Sequence, residues 1–150
     1  MAKHINIIRQ RMANTAREAH YIYGKVSCIT NKEKTTDLIP MRIDTGADVT
    51  CIPKKYVKDI EPLITKQKAL VRNHDGGCNR VFFKHAIIHL PCTEYDWIQI
   101  IPDHGILLTD SEIGLIGIDV LDNMNYMSVN GVMVMEYEEG DENVTNEAIT

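Results

Sequence analysis

The chain has 150 residues, of which 44% are hydrophobic, 25% charged and 6% aromatic, and its formal net charge is −5. This length suits one globular domain and excludes a two-lobed architecture. Six acidic residues and no Lys or Arg follow residue 135, and removing these six charges from −5 leaves residues 1–135 at +1. A nearly neutral domain with few aromatic residues is not expected to bind nucleic acid.

Four cysteines are widely spaced and form no Cys-x-x-Cys pair, so neither a structural zinc site nor a disulfide framework is predicted. They are Cys28, Cys51, Cys78 and Cys92. The N-terminal residues lack a secretory apolar core, and no segment approaches the roughly eighteen apolar residues of a membrane span. We therefore expect a soluble cytoplasmic or other intracellular protein with no membrane partner.

The first half of the chain has the pattern of strands that lead to a tight polar loop. Residues 1–20 are basic and lack a clear period, so a short basic helix or a loose arm fits them, and they are a candidate processed segment. Alternation from Tyr21 predicts a strand, and residues 38–43 predict another that enters a loop at Asp44. Residues 49–52 predict a short buried strand, and Pro53 favours the start of one or two helical turns.

The second half predicts hairpins. Residues 68–71 and 81–90 have strand patterns, and the Asp75-Gly76-Gly77 sequence between them is a hairpin-turn signal. Strands are also predicted at residues 95–102 and 106–109, and a last hairpin around Asn130-Gly131. The acidic residues 136–150 lack an apolar period, which is typical of disorder. The predicted organisation is an N-terminal segment (1–20), a folded domain (21–135) and an acidic tail (136–150).

Two segments carry the candidate chemistry. The first, Asp44-Thr45-Gly46-Ala47, lies between two apolar strands, an arrangement that presents a carboxylate from a buried sheet. In the second, residues 113–122, an apolar strand runs into Gly117 and a short helical pattern. Asp119 is expected to cap that helix, and the alternative is that it pairs with Asp44 in a single-chain dyad.

Together these segments and the glycine-containing hairpin resemble the retropepsin-like aspartic peptidases over residues 21–135. The resemblance implies an all-β, closed-barrel-like fold with one or two short helices and a flap hairpin. It also implies a homodimer with the active site at its interface, because one chain supplies only one Asp-Thr-Gly loop. No metal and no other cofactor is implied.

The resemblance assigns roles by motif position. Asp44 would be the catalytic carboxylate, Thr45 would hold the paired loops, and Gly46 would let the two chains approach. The other residues would line or close the substrate cleft. They are Ala47, Asp48, His74, Asp75, Gly76, Gly77 and, beneath the catalytic loop, Gly117.

Electrostatics dictates the expected reaction. Two carboxylates about 3 Å apart cannot both ionise, so an Asp44 pair should share one proton. The ionised partner would take a proton from water as that water attacks a peptide carbonyl, and the protonated partner would stabilise the oxyanion. The substrate would be an extended peptide segment, with a polyprotein or the chain's own precursor as candidates.

One residue departs from the retroviral pattern. Retroviral members commonly have Arg directly after the late glycine, where this chain has Ile118. The usual ion pair between that Arg and the acidic residue matching Asp48 is therefore not expected. The Gly-Ile-Asp-Val-Leu form is more similar to cellular and bacterial branches of the family.

Two other functions compete with peptide hydrolysis. The same fold could serve as a dimerisation or peptide-binding module with little turnover. A metal-dependent hydrolase could use His85 and His89, which would share a face of one strand, together with a carboxylate.

Overall fold

The computed structural model describes residues 2–12, 14–63, 65–73 and 76–138, and within these gives only the backbone for residue 59 and residues 61–80. The described chain is all-β, as predicted, with one 3-10 helix and one short α-helix. The helices are the 3-10 helix Lys54–Leu63 and α1, Ile118–Leu121. The strands are β1 Ala2–His4, β2 Ile8–Arg11, β3 Glu18–Cys28, β4 Asn31–Thr35, β5 Ile39–Ile43, β6 Cys51–Pro53, β7 Thr65–Asn73, β8 Gly76–Lys84, β9 Ala86–Pro91, β10 Trp97–Ile100, β11 Ile106–Thr109, β12 Gly114–Ile116, β13 Asn125–Val129 and β14 Val132–Glu138.

The larger sheet of the described chain curls into a half-barrel. Its strand order is β10-β9-β3-β5-β12-β6-β11-β8-β7, and β2 and β4 both pair with β3. The inner-facing residues of these strands are aliphatic or aromatic and close-packed, which supplies most of the driving force for the fold. Fully buried members include Ile22, Ile39, Met41, Ile52, Phe83, Ile88, Leu90, Ile106 and Ile116.

The centre of this sheet positions the two candidate segments. Strand β12 pairs in parallel with β5, with Ile116 beside Ile43, and antiparallel with β6 through Leu115 and Cys51. Because β5 and β12 run in the same direction, their C-terminal ends lie side by side. The loop after Ile43 and the turn after Ile116 therefore leave the sheet at the same end of these strands. Segments about seventy residues apart in sequence therefore meet.

The N-terminal residues differ from both structures that the sequence suggested. They form neither a short helix nor a loose arm, because β1 pairs with β14 and β2 pairs with β3. Ile5 is 4% exposed and donates its backbone N–H to Met135 O at 3.0 Å. The predicted division at residue 20 falls within β3, which begins at Glu18. Whether residues 1–20 are removed by processing stays a prediction.

The C-terminal hairpin forms a second, three-stranded sheet in the order β1-β14-β13. Its turn, Asn130-Gly131, has φ values of 52° and 79°, the left-handed conformations that a two-residue hairpin turn requires. The predicted acidic tail begins inside β14, which ends at Glu138, and residues 139–150 lie outside the described residues.

The single strand predicted for residues 81–90 is divided in two. His85 has a positive φ of 57° and forms a turn, so β8 ends at Lys84 and β9 begins at Ala86. The helix predicted after Pro53 is present as the 3-10 helix, and it buries Val57 and Ile60. No helix in the described part of the chain is long and apolar enough to cross a membrane.

A polar cluster ties β1 to β14 and to the turn that follows β9. His4 Nδ1 lies 2.8 Å from Glu94 Oε1, and His4 Nε2 lies 3.1 Å from Glu136 Oε1. These contacts raise the pKa of His4, chiefly through the hydrogen bond with Glu94. The hydrogen bond with His4 in turn lowers the pKa of Glu94 to about 2.

These pKa shifts predict how the cluster contributes to stability as pH changes. The raised pKa of His4 favours the folded state most below the ordinary histidine value of 6.5, and the benefit is lost as pH rises through the folded pKa. The lowered pKa of Glu94 also stabilises the folded state. This contribution is fully present above pH 4.5, the ordinary glutamate value, and is lost as pH falls through about 2. Thermal unfolding of His4→Gln should therefore differ most from the parent between pH 4.5 and 6.5. A difference in Tm that grows toward pH 8 would contradict this assignment.

Candidate active site

The loop that follows β5 carries one carboxylate, Asp44, at the C-terminal end of this central strand. Asp44 N donates to Ile116 O at 3.0 Å, which fixes the loop to the end of β12. Gly46 N donates to Asp44 Oδ1 at 2.9 Å, and Ala47 N donates to Asp44 O at 3.2 Å. Asp44 is half-buried, whereas Thr45 and Gly46 are exposed. The carboxylate thus has a fixed orientation in a loop whose tip is exposed.

Gly117 lies directly against this loop. A Cβ at this position would lie 2.7 Å from Ala47 O and 2.9 Å from the carbonyl carbon of Val49, so only glycine permits the observed approach. Ile118 N donates to Ala47 O at 2.9 Å. The turn before α1 therefore supports the middle of the Asp44 loop.

Asp119 has a role that the sequence analysis did not find. The N-cap position of α1 is Gly117, and no side-chain hydrogen bond caps this end of the helix, so the predicted capping role of Asp119 is wrong. Its carboxylate accepts two hydrogen bonds from Thr50, one from the backbone N at 3.0 Å and one from Oγ1 at 2.7 Å. The alternative of a dyad with Asp44 also lacks support, since Thr50 engages both Asp119 oxygens.

Thr50 is the centre of this network and is fully buried. Its Oγ1 donates to Asp119 and accepts a hydrogen bond from Gly117 N at 3.0 Å, while Thr50 O accepts from Leu107 N at 3.0 Å. The exit of the Asp44 loop is thereby fixed to β11, α1 and the turn between β12 and α1. The one signal in the sequence was a polar Thr50 in an otherwise apolar run.

Two candidate substrate-contacting residues follow Gly46. Ala47 is half-buried and has both its backbone groups bonded within the site, as given above. Asp48 is exposed, and no cation pairs with it among the described residues.

The predicted flap hairpin is described in part. Strands β7 and β8 pair antiparallel, with Arg72 opposite Gly77 and Asn73 opposite Gly76. His74 and Asp75, the predicted tip, lie outside the described residues. The structure therefore shows a long hairpin at this position, and its role as a flap stays a prediction.

The thiol of Cys51 adjoins the candidate site but is not suited to nucleophilic attack. Cys51 is buried on β6, and burial raises the pKa of its thiol, with the nearby Asp119 and Asp44 carboxylates acting in the same direction. A thiol held in its neutral form is a weak nucleophile. Cys51 is better explained as a packing residue.

The histidine-based metal site finds no support in the geometry. His85 lies in an exposed turn, and His89 is buried on β9 with its Nε2 2.7 Å from Ser27 Oγ. Burial lowers the pKa of His89, and the Lys25 charge lowers it further. The expectation that both histidines share a strand face is wrong, because the turn at His85 separates β8 from β9.

One other group of ligand-type atoms lies within the described chain. Those of Cys92, Glu94 and Asp96 are all within 4.8 Å of one another. The Lys3 ammonium pairs with Asp96, and His4 pairs with Glu94. Because cations of the protein already contact two of these three groups, the cluster is better explained as a surface ion-pair network.

No protein-family model matches the chain, and no curated protein sequence matches it. Among solved structures, the fold is similar to that of the retropepsin-like aspartic proteases. One similar structure is the crystal structure of a retropepsin-like aspartic protease from Rickettsia conorii. The two structures have a TM-score of 0.51 and 15% sequence identity, and the similarity covers 91% of this chain and 92% of that chain. At this level of identity the similarity establishes the fold.

Proposed function

We propose that the chain is one half of a homodimeric aspartic endopeptidase that hydrolyses peptide bonds in extended polypeptide segments. The observation that carries this proposal is the Asp44 loop, which presents one oriented carboxylate from a retropepsin-like fold and leaves Thr45 and Gly46 exposed. One carboxylate cannot be ionised and protonated at the same time, so in this mechanism a second copy supplies the other carboxylate.

The proposed reaction uses the two Asp44 carboxylates and one water molecule. Since two adjacent carboxylates cannot both ionise, the pair holds one shared proton. The ionised Asp44 accepts a proton from water as its oxygen attacks the peptide carbonyl carbon, and the protonated Asp44 donates to the developing oxyanion. The Asp44 that accepted the proton from water then donates a proton to the leaving amine, and the C–N bond breaks without a covalent acyl-enzyme.

The surrounding residues would position the pair and the peptide. The exposed Thr45 hydroxyl and Gly46 backbone would contact the partner's loop, and Ala47 and Asp48 would line the cleft. The β7–β8 hairpin would cover an extended peptide and exclude water, with His74, Asp75, Gly76 and Gly77 at its tip. We also propose that residues 21–135 contain the catalytic unit. The proposed substrate is a polyprotein or the chain's own precursor.

Cleavage of a degenerate peptide pool between about pH 4 and 7 tests this function. We expect endoproteolytic products, suppression by a statine-type inhibitor that imitates the tetrahedral intermediate, and no effect of a metal chelator. Peptide binding without cleavage would instead support the dimerisation or peptide-binding module. Activity that a chelator abolishes and the inhibitor leaves intact would contradict the aspartic mechanism.

A further inference from the structure

Arg42 lies on the same face of β5 as the candidate catalytic carboxylate. Side chains alternate between the two faces of a strand, so Arg42 and Asp44 point to one face and Met41 points to the other. Met41 is fully buried in the core, and Asp44 continues the ladder because its N–H donates to Ile116 O at 3.0 Å. Two residues of a strand span about 7 Å, which is therefore the spacing between the Arg42 and Asp44 backbones.

The strands beside β5 place apolar side chains around Arg42 on this face. Tyr21 of β3 lies opposite Arg42 on one side, and Leu115 of β12 lies opposite it on the other. Leu115 in turn lies opposite Cys51 of β6. Tyr21 is 4% exposed and Cys51 is 7% exposed, whereas Arg42 and Leu115 are half-buried. Arg42 is thus the one cation in this row of four residues.

The electrostatics of Cys51 places this row close to the Asp44 carboxylate. Burial raises the pKa of the Cys51 thiol most, and the charges of Asp119 and Asp44 raise it further. Charges act on a neighbouring group more strongly the closer they lie. The row that contains Arg42 therefore lies beside the carboxylate that is proposed to act on the peptide.

Arg42 has no carboxylate partner within the part of the chain that the structure describes, and Asp44 is no exception. Several more exposed cations of the described chain do have such partners. They are Arg9 with Glu18, Lys54 with Asp110 and Lys55 with Glu112. Removing a charge from water costs free energy, which pairing with an opposite charge offsets. Arg42 is therefore a half-buried charge that is open to an anionic group of another molecule.

We propose that Arg42 determines substrate specificity by binding an Asp or Glu side chain of the peptide within about two residues of the scissile bond. This inference rests on the proposed function and names the class of substrate that the site prefers. A guanidinium presents a planar fork of donors that matches both oxygens of a carboxylate. The apolar side chains of Tyr21 and Leu115 strengthen this attraction, because charges interact more strongly where water is excluded.

The spacing along β5 limits where the acidic side chain lies in the peptide. An extended peptide advances about 3.4 Å per residue, so the roughly 7 Å between the Arg42 and Asp44 backbones corresponds to two residues. In the proposed homodimer a twofold axis places one copy of Arg42 on each side of the Asp44 pair. We therefore expect acidic side chains to be favoured on either side of the scissile bond, and lysine to be rejected there.

Matched peptides test this preference in the parent enzyme. A peptide that the enzyme cleaves would be made with Glu, Gln or Lys at each of the two positions on either side of the scissile bond. At the preferred positions kcat/KM should be about ten- to a hundredfold higher for Glu than for Gln, as expected for a charge-assisted hydrogen bond. Lys should give the lowest values. Equal kcat/KM for Glu and Gln at every position would overturn the proposal, and this comparison requires no variant to fold.

Variants assign the preference to Arg42. In Arg42→Gln the kcat/KM for the Glu peptide should fall to that for the Gln peptide, and Arg42→Glu should favour Lys over Glu. Arg9→Gln removes an exposed cation of β2 and is the matched control, which should keep the parental preference for Glu. If Arg42→Gln lowered kcat/KM by the same factor for the Glu and Gln peptides, Arg42 would act on Asp44 or on the fold, and the proposal would be overturned.

Peptide binding separates this inference from the proposed function. Fluorescence anisotropy with labelled Glu and Gln peptides would be measured on Asp44→Asn protein, with and without Arg42→Gln. The Glu peptide should bind more tightly only where Arg42 is present. Such binding, with no cleavage of any peptide by the parent, would reject the proposed function alone. Cleavage of the Glu and Gln peptides at equal rates would reject this inference alone.

Discussion

Replacing Asp44 by asparagine should abolish peptide hydrolysis, with kcat lowered by about 10²–10⁴ or more, because the pair would lose both its general base and its general acid. The fold should persist, since the amide oxygen of asparagine can still accept the hydrogen bond from Gly46 N that Asp44 Oδ1 accepts at 2.9 Å. Initial rates on a fluorogenic peptide, with Tm measured on the same samples, check both expectations.

The matched control for Asp44→Asn removes one negative charge elsewhere. Asp103 lies in an exposed turn between β10 and β11, so Asp103→Asn should retain the parental rate. Equal loss of activity in both variants would indicate a general charge effect. Full activity of Asp44→Asn would refute the assignment of Asp44 as the catalytic carboxylate.

Replacing Thr50 by valine should destabilise the domain by roughly 2–4 kcal/mol. Valine matches the shape of threonine but leaves a buried Gly117 N–H and the Asp119 carboxylate without the hydroxyl that they share. Each unsatisfied group costs about 1–3 kcal/mol. Because these bonds fix the exit of the Asp44 loop, kcat should also fall under conditions in which the variant remains folded.

Serine at the same position provides the control for Thr50→Val. Thr50→Ser keeps the hydroxyl and loses a methyl group, so it should retain both side-chain hydrogen bonds and most of the activity. Urea unfolding of both variants gives the comparison. If serine proved as damaging as valine, packing of the methyl group would outweigh the hydrogen-bond network, and the proposed anchoring role of Asp119 would lose its support.

Local sequence signals predicted the elements that depend on neighbouring residues. The alternation of side chains predicted the strand that contains Tyr21, and the Asn130-Gly131 sequence predicted the last hairpin. Pro53 predicted the start of the helix that is present as the 3-10 helix. The Asp44 loop was predicted in the same way, as a turn between two apolar runs. In these cases the residues that determine the structure lie within a few positions of one another.

The features that were missed depend on distant partners. Strand β1 forms because β14, more than 130 residues later, offers it an edge, and nothing in residues 1–20 specifies that partner. Asp119 resembles a helix cap in sequence, whereas its hydrogen bonds reach Thr50, 69 residues away. His85 looked like a strand residue, but it turns the chain with a positive φ, and its backbone O accepts a hydrogen bond from the distant Ile29 N at 2.9 Å. Tertiary pairing outweighs local propensity at these positions.

Mixing two kinds of subunit tests the central claim that each active site contains Asp44 from two chains. Parent and Asp44→Asn proteins would be exchanged at constant total concentration, and activity measured against the fraction of parent chains. Only dimers of two parent chains have both carboxylates, so activity should follow the square of that fraction, and an equal mixture should retain about one quarter. A linear dependence, with about one half retained, would show that one chain is sufficient and would contradict the shared site.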